Sequence, residues 1–171
     1  MVFSRKRSTT ALCDPLTLNG QALDLVDTVK YLGLTICSDL SWSEHINTIT
    51  SKARRLVGLL FRQFYSCTDS HTLRKLYLTI VRPHLEYACE VWDPHLDKDI
   101  KLIEKVQKFA SRVCLHVKQW NSSYSDMLTT LNIPSLKDRR KWAKLSTLYK
   151  IVHGFADYPS PPLLPRTSYT I

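Results

Sequence analysis

A chain of 171 residues with a formal net charge of +9 and 44% hydrophobic side chains has the size and balance of one globular domain with its own core. The positive excess points to a polyanionic partner, nucleic acid first and a membrane surface second, and no apolar run approaches the roughly 20 residues a spanning helix needs. Only four glycines occur, and they assemble neither a GxGxxG nor a P-loop, so the usual nucleotide cradles are excluded.

The N-terminus, MVFSRKRSTT, carries basic residues without a following apolar stretch and does not read as a signal peptide. Residues 2–7 suit a short strand entering a basic turn. Asn19-Gly20, between apolar runs, favours a type I′ hairpin. Val29 to Ile36 reads as one strand, with Gly33 at a bulge or a close backbone approach. Ser41 and Glu44 stand in capping-box spacing before a helix. The expected fold is therefore mainly α, with a small N-terminal antiparallel β hairpin region (residues 1–40) packed on about five helices (41–153). A proline-rich tail (154–171) is expected to be extended or disordered.

The first helix is predicted over Trp42 to Phe64, with Ile46, Ile49, Ala53, Leu56, Val57, Leu60 and Phe64 on one stripe. A second starts near Ser70, after cap residues, and buries Leu73, Leu76, Tyr77, Ile80 and Val81. Pro83 should kink or restart it before Leu85, Ala88, Val91 and Trp92. A third runs from Asp97 to about Val117 through Ile103, Val106 and Ala110. A short one follows, around Met127, Leu128 and Leu131. The last spans Leu136 to Val152, with Leu136, Ala143, Leu145, Leu148, Tyr149 and Val152 as its core side, and ends at Gly154.

Metal and catalytic constellations are weak. Asp97 and Asp99 in a first turn complement the helix dipole, and Glu86 and Glu90 face solvent or pair with arginine. The histidines show no ligand spacing, no serine sits in GxSxG, and the five scattered cysteines, an odd number without a CxxC, read as reduced, mostly buried thiols of an intracellular protein. No cofactor, metal site or catalytic residue is expected. Three basic patches are more informative: Arg5, Lys6 and Arg7; Lys52, Arg54 and Arg55; and the cluster Lys137, Arg139, Arg140, Lys141 and Lys144. Each alone is an ordinary solvated face, but with the net charge they suit contact with a phosphate backbone. Tyr31, Trp42 and Trp142 could stack on bases, although core packing is the better reading for each.

Three runs carry a family resemblance: KYLGLTICSDLSWSEHINTITSKA (Lys30 to Ala53), LYLTIVRPHLEYACEVWDPH (Leu76 to His95) and KLIEKVQKFASRVC (Lys101 to Cys114), continued by IPSLKDRRKWAKLSTLYKI (Ile133 to Ile151). They resemble the C-terminal part of reverse transcriptases from non-LTR retrotransposons, the jockey-like and related LINE clades. The resemblance implies the end of the palm, the thumb and the helices beyond it. VFSRKR then matches the palm strand after the catalytic loop, which makes Met1 an internal residue of the parent enzyme. KYLGLTI falls where the family has the hairpin that steadies the primer end, bringing in Lys30, Tyr31 and Gly33. The family's catalytic aspartates lie upstream of this segment, and the chain holds no adjacent aspartate pair. The implied protein is a non-polymerising fragment that binds RNA or an RNA–DNA duplex weakly through the backbone. Two other readings stand beside it: a helical module that packs against a missing palm or another protein, and a relic of a mobile element without activity. None involves a membrane.

Overall fold

The computed structural model describes residues 17–64, 69–117 and 123–156. The expected first strand, Cys13, Cys67, Arg5, Lys6, Arg7 and the tail beyond Ala156 lie outside these residues. Within them the chain is mainly helical, with two small antiparallel hairpins at its N-terminal side.

The first hairpin pairs β1 (Thr17–Leu18) with β2 (Gln21–Ala22), and Asn19 and Gly20 between them both take positive φ, 51° and 80°. That is the type I′ geometry their dipeptide favours, because its twist matches that of the flanking strands. The second pairs β3 (Thr28–Tyr31) with β4 (Leu34–Cys37), in a register that sets Thr28 opposite Cys37 and Tyr31 opposite Leu34. One strand over Val29 to Ile36 is thus corrected to two strands. Leu32 at φ 46° and Gly33 at φ 86° turn the chain between them. Leucine is an unusual occupant of such a turn, so the residue pattern hides it.

Helix α1 (Ser43–Gln63) lies along α5 (Asp97–Cys114), and these two form the main helix pair of the core. Ile46, Ala53 and Val57 of α1 and Ile103, Val106, Ala110 and Cys114 of α5 are buried. The Ser41–Glu44 capping box does not form. Trp42 stands at the N-cap without a side-chain bond, the Ser41 N–H donates to Asp39 Oδ1 at 2.8 Å, and Glu44 instead accepts from Cys37 Sγ at 3.5 Å. Asp99, in the first turn of α5, accepts from Ser43 Oγ at 2.8 Å, so it joins two helix starts.

Between these helices the chain breaks twice. Helix α2 (Ser70–Leu76) begins at Asp69, whose carboxylate accepts from the His71 and Thr72 N–H groups. A π-helical stretch, Tyr77–Val81, follows and leads into α3 (Arg82–Glu86), where Pro83 sits in the first turn. The wider turn precedes the proline, which has no N–H to give to the regular ladder. Ala88 then takes φ 50° and starts the short α4 (Cys89–Trp92). Leu73, Tyr77, Val81, Leu85 and Trp92 are buried, while Ile80 and Val91, expected inside, are exposed. Each break resets the helical phase, and the 3.6-residue period fails across it.

Helix α6 (Tyr124–Leu131) and helix α7 (Leu136–Val152) complete the described chain. Gln107, fully buried in α5, accepts from Tyr77 Oη at 2.9 Å and donates to the Pro134 carbonyl at 2.9 Å. Glu104 accepts from Tyr124 Oη at 2.6 Å and from the Lys137 N–H at 2.7 Å. One turn of α5 therefore anchors the π-helical stretch, α6 and the start of α7. Ser135 caps α7, and Gly154 at φ 69° follows its end.

The expected core side of α7 is corrected. Its inner face is Leu136, Arg140, Ala143, Thr147 and Ile151, all buried or half-buried. Leu145, Leu148, Tyr149 and Val152 are exposed. The buried arginine explains the misreading: apolar periodicity assigns the core to the wrong side when a cation occupies the inner stripe. Cys37, Cys89 and Cys114 are free and buried, and burial pushes the thiols of Cys89 and Cys114 up to about 11, which keeps them unreactive.

Candidate nucleic-acid interface

The basic cluster of α7 divides in two. Arg139 makes a bidentate pair with Glu86, Nη2 to Oε2 at 3.0 Å and Nε to Oε1, while Arg82 stands 3.6 Å from the same carboxylate. Hydrogen bonding to Glu86 raises the pKa of the Arg139 guanidinium further. Arg140 donates through Nε to Asp93 Oδ1 at 2.8 Å, and Lys144 takes Oδ2 of the same carboxylate. These three cations hold α7 to the segment Arg82 to Asp93, and Arg140, 1% exposed, presents nothing to solvent. Glu86 therefore pairs with arginine, one of the two roles anticipated for it. Lys137 and Lys141 stay exposed and outside the ion pairs found among the described residues.

Lys52, Arg54 and Arg55 are exposed along α1. Arg55 donates to its own helix, Nε to the Ser51 carbonyl at 3.4 Å. Lys52 lies near enough to His84 to reinforce the lowering of that imidazole's pKa, which desolvation begins. Lys30 and Tyr31 are exposed at the end of β3. The turn after them leans on the body: Tyr87 Oη donates to the Leu32 carbonyl at 3.1 Å, and a Cβ on Gly33 would lie 3.5 Å from the Tyr87 ring. Of the three candidate stacking aromatics, Trp42 is half-buried and edge-on to His45, as core packing requires. Tyr31 and Trp142 depart from that expectation, at 63% and 68% exposed.

A stripe on α5 is missing from the sequence-based candidates. Lys98, Lys101, Lys105 and Lys108 recur at intervals of three, four and three residues, which is one helix face. At about 100° per residue that face is opposite the buried one, and it extends roughly 15 Å. None of the four takes part in the ion pairs found among the described residues. The signal is present as a lysine period, but Asp97, Asp99 and Glu104 interleave it and make the local charge look balanced.

The described residues hold no group of three or more histidine, cysteine, aspartate or glutamate side chains placed to bind a metal, and none of their helices is long and apolar enough to cross a membrane. What the surface offers is spaced cations on α1 and α5, the arrangement suited to a repeating anion without sequence readout.

Over 144 residues the chain is 32% identical to the uncharacterized protein B0403.1 of Caenorhabditis elegans, a match that takes in 82% of this chain and 71% of that protein. The chain belongs to the family of that nematode protein. It is also 26% identical, over 113 residues, to the probable RNA-directed DNA polymerase from transposon X-element of Drosophila melanogaster. That second match takes in 65% of this chain but only 12% of the polymerase. The chain therefore has a partial, distant similarity to a transposon polymerase. No family model matches the chain, and no solved structure does.

Proposed function

We propose that the chain is the C-terminal segment of a non-LTR retrotransposon reverse transcriptase, made of the end of the palm, the thumb and the helices that follow, and that it grips RNA or an RNA–DNA duplex by the phosphate backbone inside the cell. The observation that carries this reading is the match to one small stretch of a transposon RNA-directed DNA polymerase. The lysine face of α5 and the triplet on α1 supply the cations. On its own the chain does not polymerise, since two-metal phosphoryl transfer needs a carboxylate set that its sequence lacks.

The test is a titration of an RNA–DNA hybrid by fluorescence anisotropy at several salt concentrations, with primer extension run in parallel. Affinity should fall steeply as salt rises, with a log–log slope near about −0.9 per phosphate neutralised. Replacing Lys101 and Lys105 by alanine should lower that slope by about two contacts. A flat salt response, or no binding at low salt, removes the proposal.

A second reading, a protein-interaction module, is favoured by a different observation. Every residue from Thr17 to Gly33 is exposed, and Leu18, Leu23, Leu25 and Val26 are among them. Two-stranded hairpins are marginal alone, and one that leaves this many apolar side chains exposed suits a docking surface. A palm domain would cover it in the first reading and another protein in the second.

A further inference from the structure

Helix α7 carries two stripes. The inner one, centred on Arg140, docks on α4 and α5. The outer one is Trp142, Leu145, Tyr149 and Val152, spaced three, four and three, which is the a/d pattern of a coiled-coil seam. At about 100° per residue the two stripes lie roughly 180° apart, so the seam points away from the protein's own core. Leu148 and Phe155 border it, and Tyr149 packs on His153 and Phe155 at ring-centroid distances of 4.2 and 6.2 Å. A helix with this period on its outer face is built to meet another helix.

We propose that the occupant is a second copy of this chain, joined by antiparallel pairing of the two α7 helices about a two-fold axis level with Thr147, midway between Leu145 and Tyr149. Three arguments select it. The register is self-complementary in size: Trp142 meets Val152 of the second copy, and Leu145 meets Tyr149 of the second copy. The charges stay apart, because Lys144 and Lys150 lie outside the seam and Lys141 falls level with His153 of the second copy, beyond the outermost seam pair. The area is sufficient. The six exposed side chains offer about 500–600 Å² per copy, or roughly 1,100 Å² for the pair, above the roughly 1,000 Å² a specific interface needs. An isologous contact of this kind closes on itself and gives a dimer, not a filament.

The proposal is independent of nucleic-acid binding, and its test uses nuclease-treated protein. The full chain is followed by analytical ultracentrifugation from micromolar to submillimolar concentration. It should pass from monomer to dimer. Leu145→Glu and Tyr149→Lys should each weaken the dimer at least tenfold, while Lys150→Glu, off the seam, should not. All three positions are exposed, and unchanged circular dichroism will show the fold intact. The antiparallel register makes a sharper demand. An equimolar mixture of Leu145→Glu and Tyr149→Lys should dimerise again, because each heterodimer sets the introduced carboxylate of one copy against the introduced ammonium of the other. A monomeric wild type overturns the proposal, with another partner or the chain's own tail then left to cover the seam. Undiminished association of Leu145→Glu also overturns it and moves the contact to another surface, with Thr17 to Gly33 the first candidate. A mixture that stays monomeric overturns the register.

Discussion

Arg140 and Asp93 meet where α7 crosses the end of α4, with guanidinium Nε 2.8 Å from carboxylate Oδ1 and only 1% of the arginine side chain exposed. An arginine in that position is bound to its partner by desolvation. Alone, it would be an uncompensated buried charge. Asp93 also receives Lys144, so removing the aspartate strands one buried cation and releases one exposed one. Asp93→Ala should destabilise the protein by about 3–5 kcal/mol, read as a lower urea midpoint at unchanged slope. Arg140→Met, which removes the charge and keeps the volume, should cost clearly less, because Asp93 keeps Lys144 and part of its exposure. Equal losses in the two variants would show that packing, not the unpaired charge, sets the cost.

Gln107 gives a second prediction. Its amide satisfies Tyr77 Oη and the Pro134 carbonyl where no side-chain atom of its own reaches solvent. Tyr77→Phe keeps the ring and leaves the Gln107 oxygen without its donor, at a cost of about 1–3 kcal/mol. Gln107→Leu should cost more than Tyr77→Phe, because it orphans a hydroxyl and a backbone carbonyl together. Thermal unfolding of the two variants and of their combination decides it. The double variant should fall short of the sum of the singles, since both act on one hydrogen bond.

The turn Leu32-Gly33 allows a stabilising change. Leu32 is exposed and holds φ 46°, a region where leucine is strained and asparagine is at ease. Leu32→Asn turns the pair into Asn-Gly, the dipeptide already used at residues 19 and 20, and should raise stability by about 0.5–1 kcal/mol. Gly33→Ala should lower it by about 1–2 kcal/mol through φ alone, since the added methyl meets Tyr87 at an ordinary contact distance of 3.5 Å. If Gly33→Ala proves neutral, the turn does not hold this geometry in solution.

These residues also show what can be read from the sequence. The Asn19-Gly20 turn, the cap at Asp69 and the span of α7 are legible, because each is written in local chemistry: a dipeptide, a side-chain oxygen, a Ser-to-Gly interval. The turn at Leu32 is not, because its first residue contradicts the local rule. The facing of α7 is not, because an inward arginine and an outward leucine invert the pattern that periodicity assumes. The candidate interface is half legible. Clustering finds Lys52, Arg54 and Arg55, but only tertiary structure shows that Arg139, Arg140 and Lys144 are spent on Glu86 and Asp93. Lys98, Lys101 and Lys105 are easily overlooked because acids neighbour them in sequence.

His45 gives the pH dependence. It is 2% exposed, its Nδ1 accepts the Thr35 N–H at 3.2 Å, and its ring stands edge-on to Trp42 and Trp92. Burial lowers its pKa, so the folded state holds it neutral. Protonation would set a second N–H against the Thr35 donor at the join of β4 and α1. A depressed folded value means that the unfolded chain takes up the proton first. The stabilisation is therefore complete above the ordinary histidine value of about 6.5 and is lost as pH falls below it, until the folded state titrates as well. His84 is shifted in the same direction, by desolvation and by Lys52, and adds to the same window. Asp39 and Asp69, both lowered, act only in more acid solution. The urea midpoint should thus decline between about pH 7 and pH 5, and His84→Gln should leave most of that decline in place. His45→Asn should be less stable at neutral pH and nearly flat across the window. A wild-type slope that survives in His45→Asn would assign the effect to groups other than this buried imidazole.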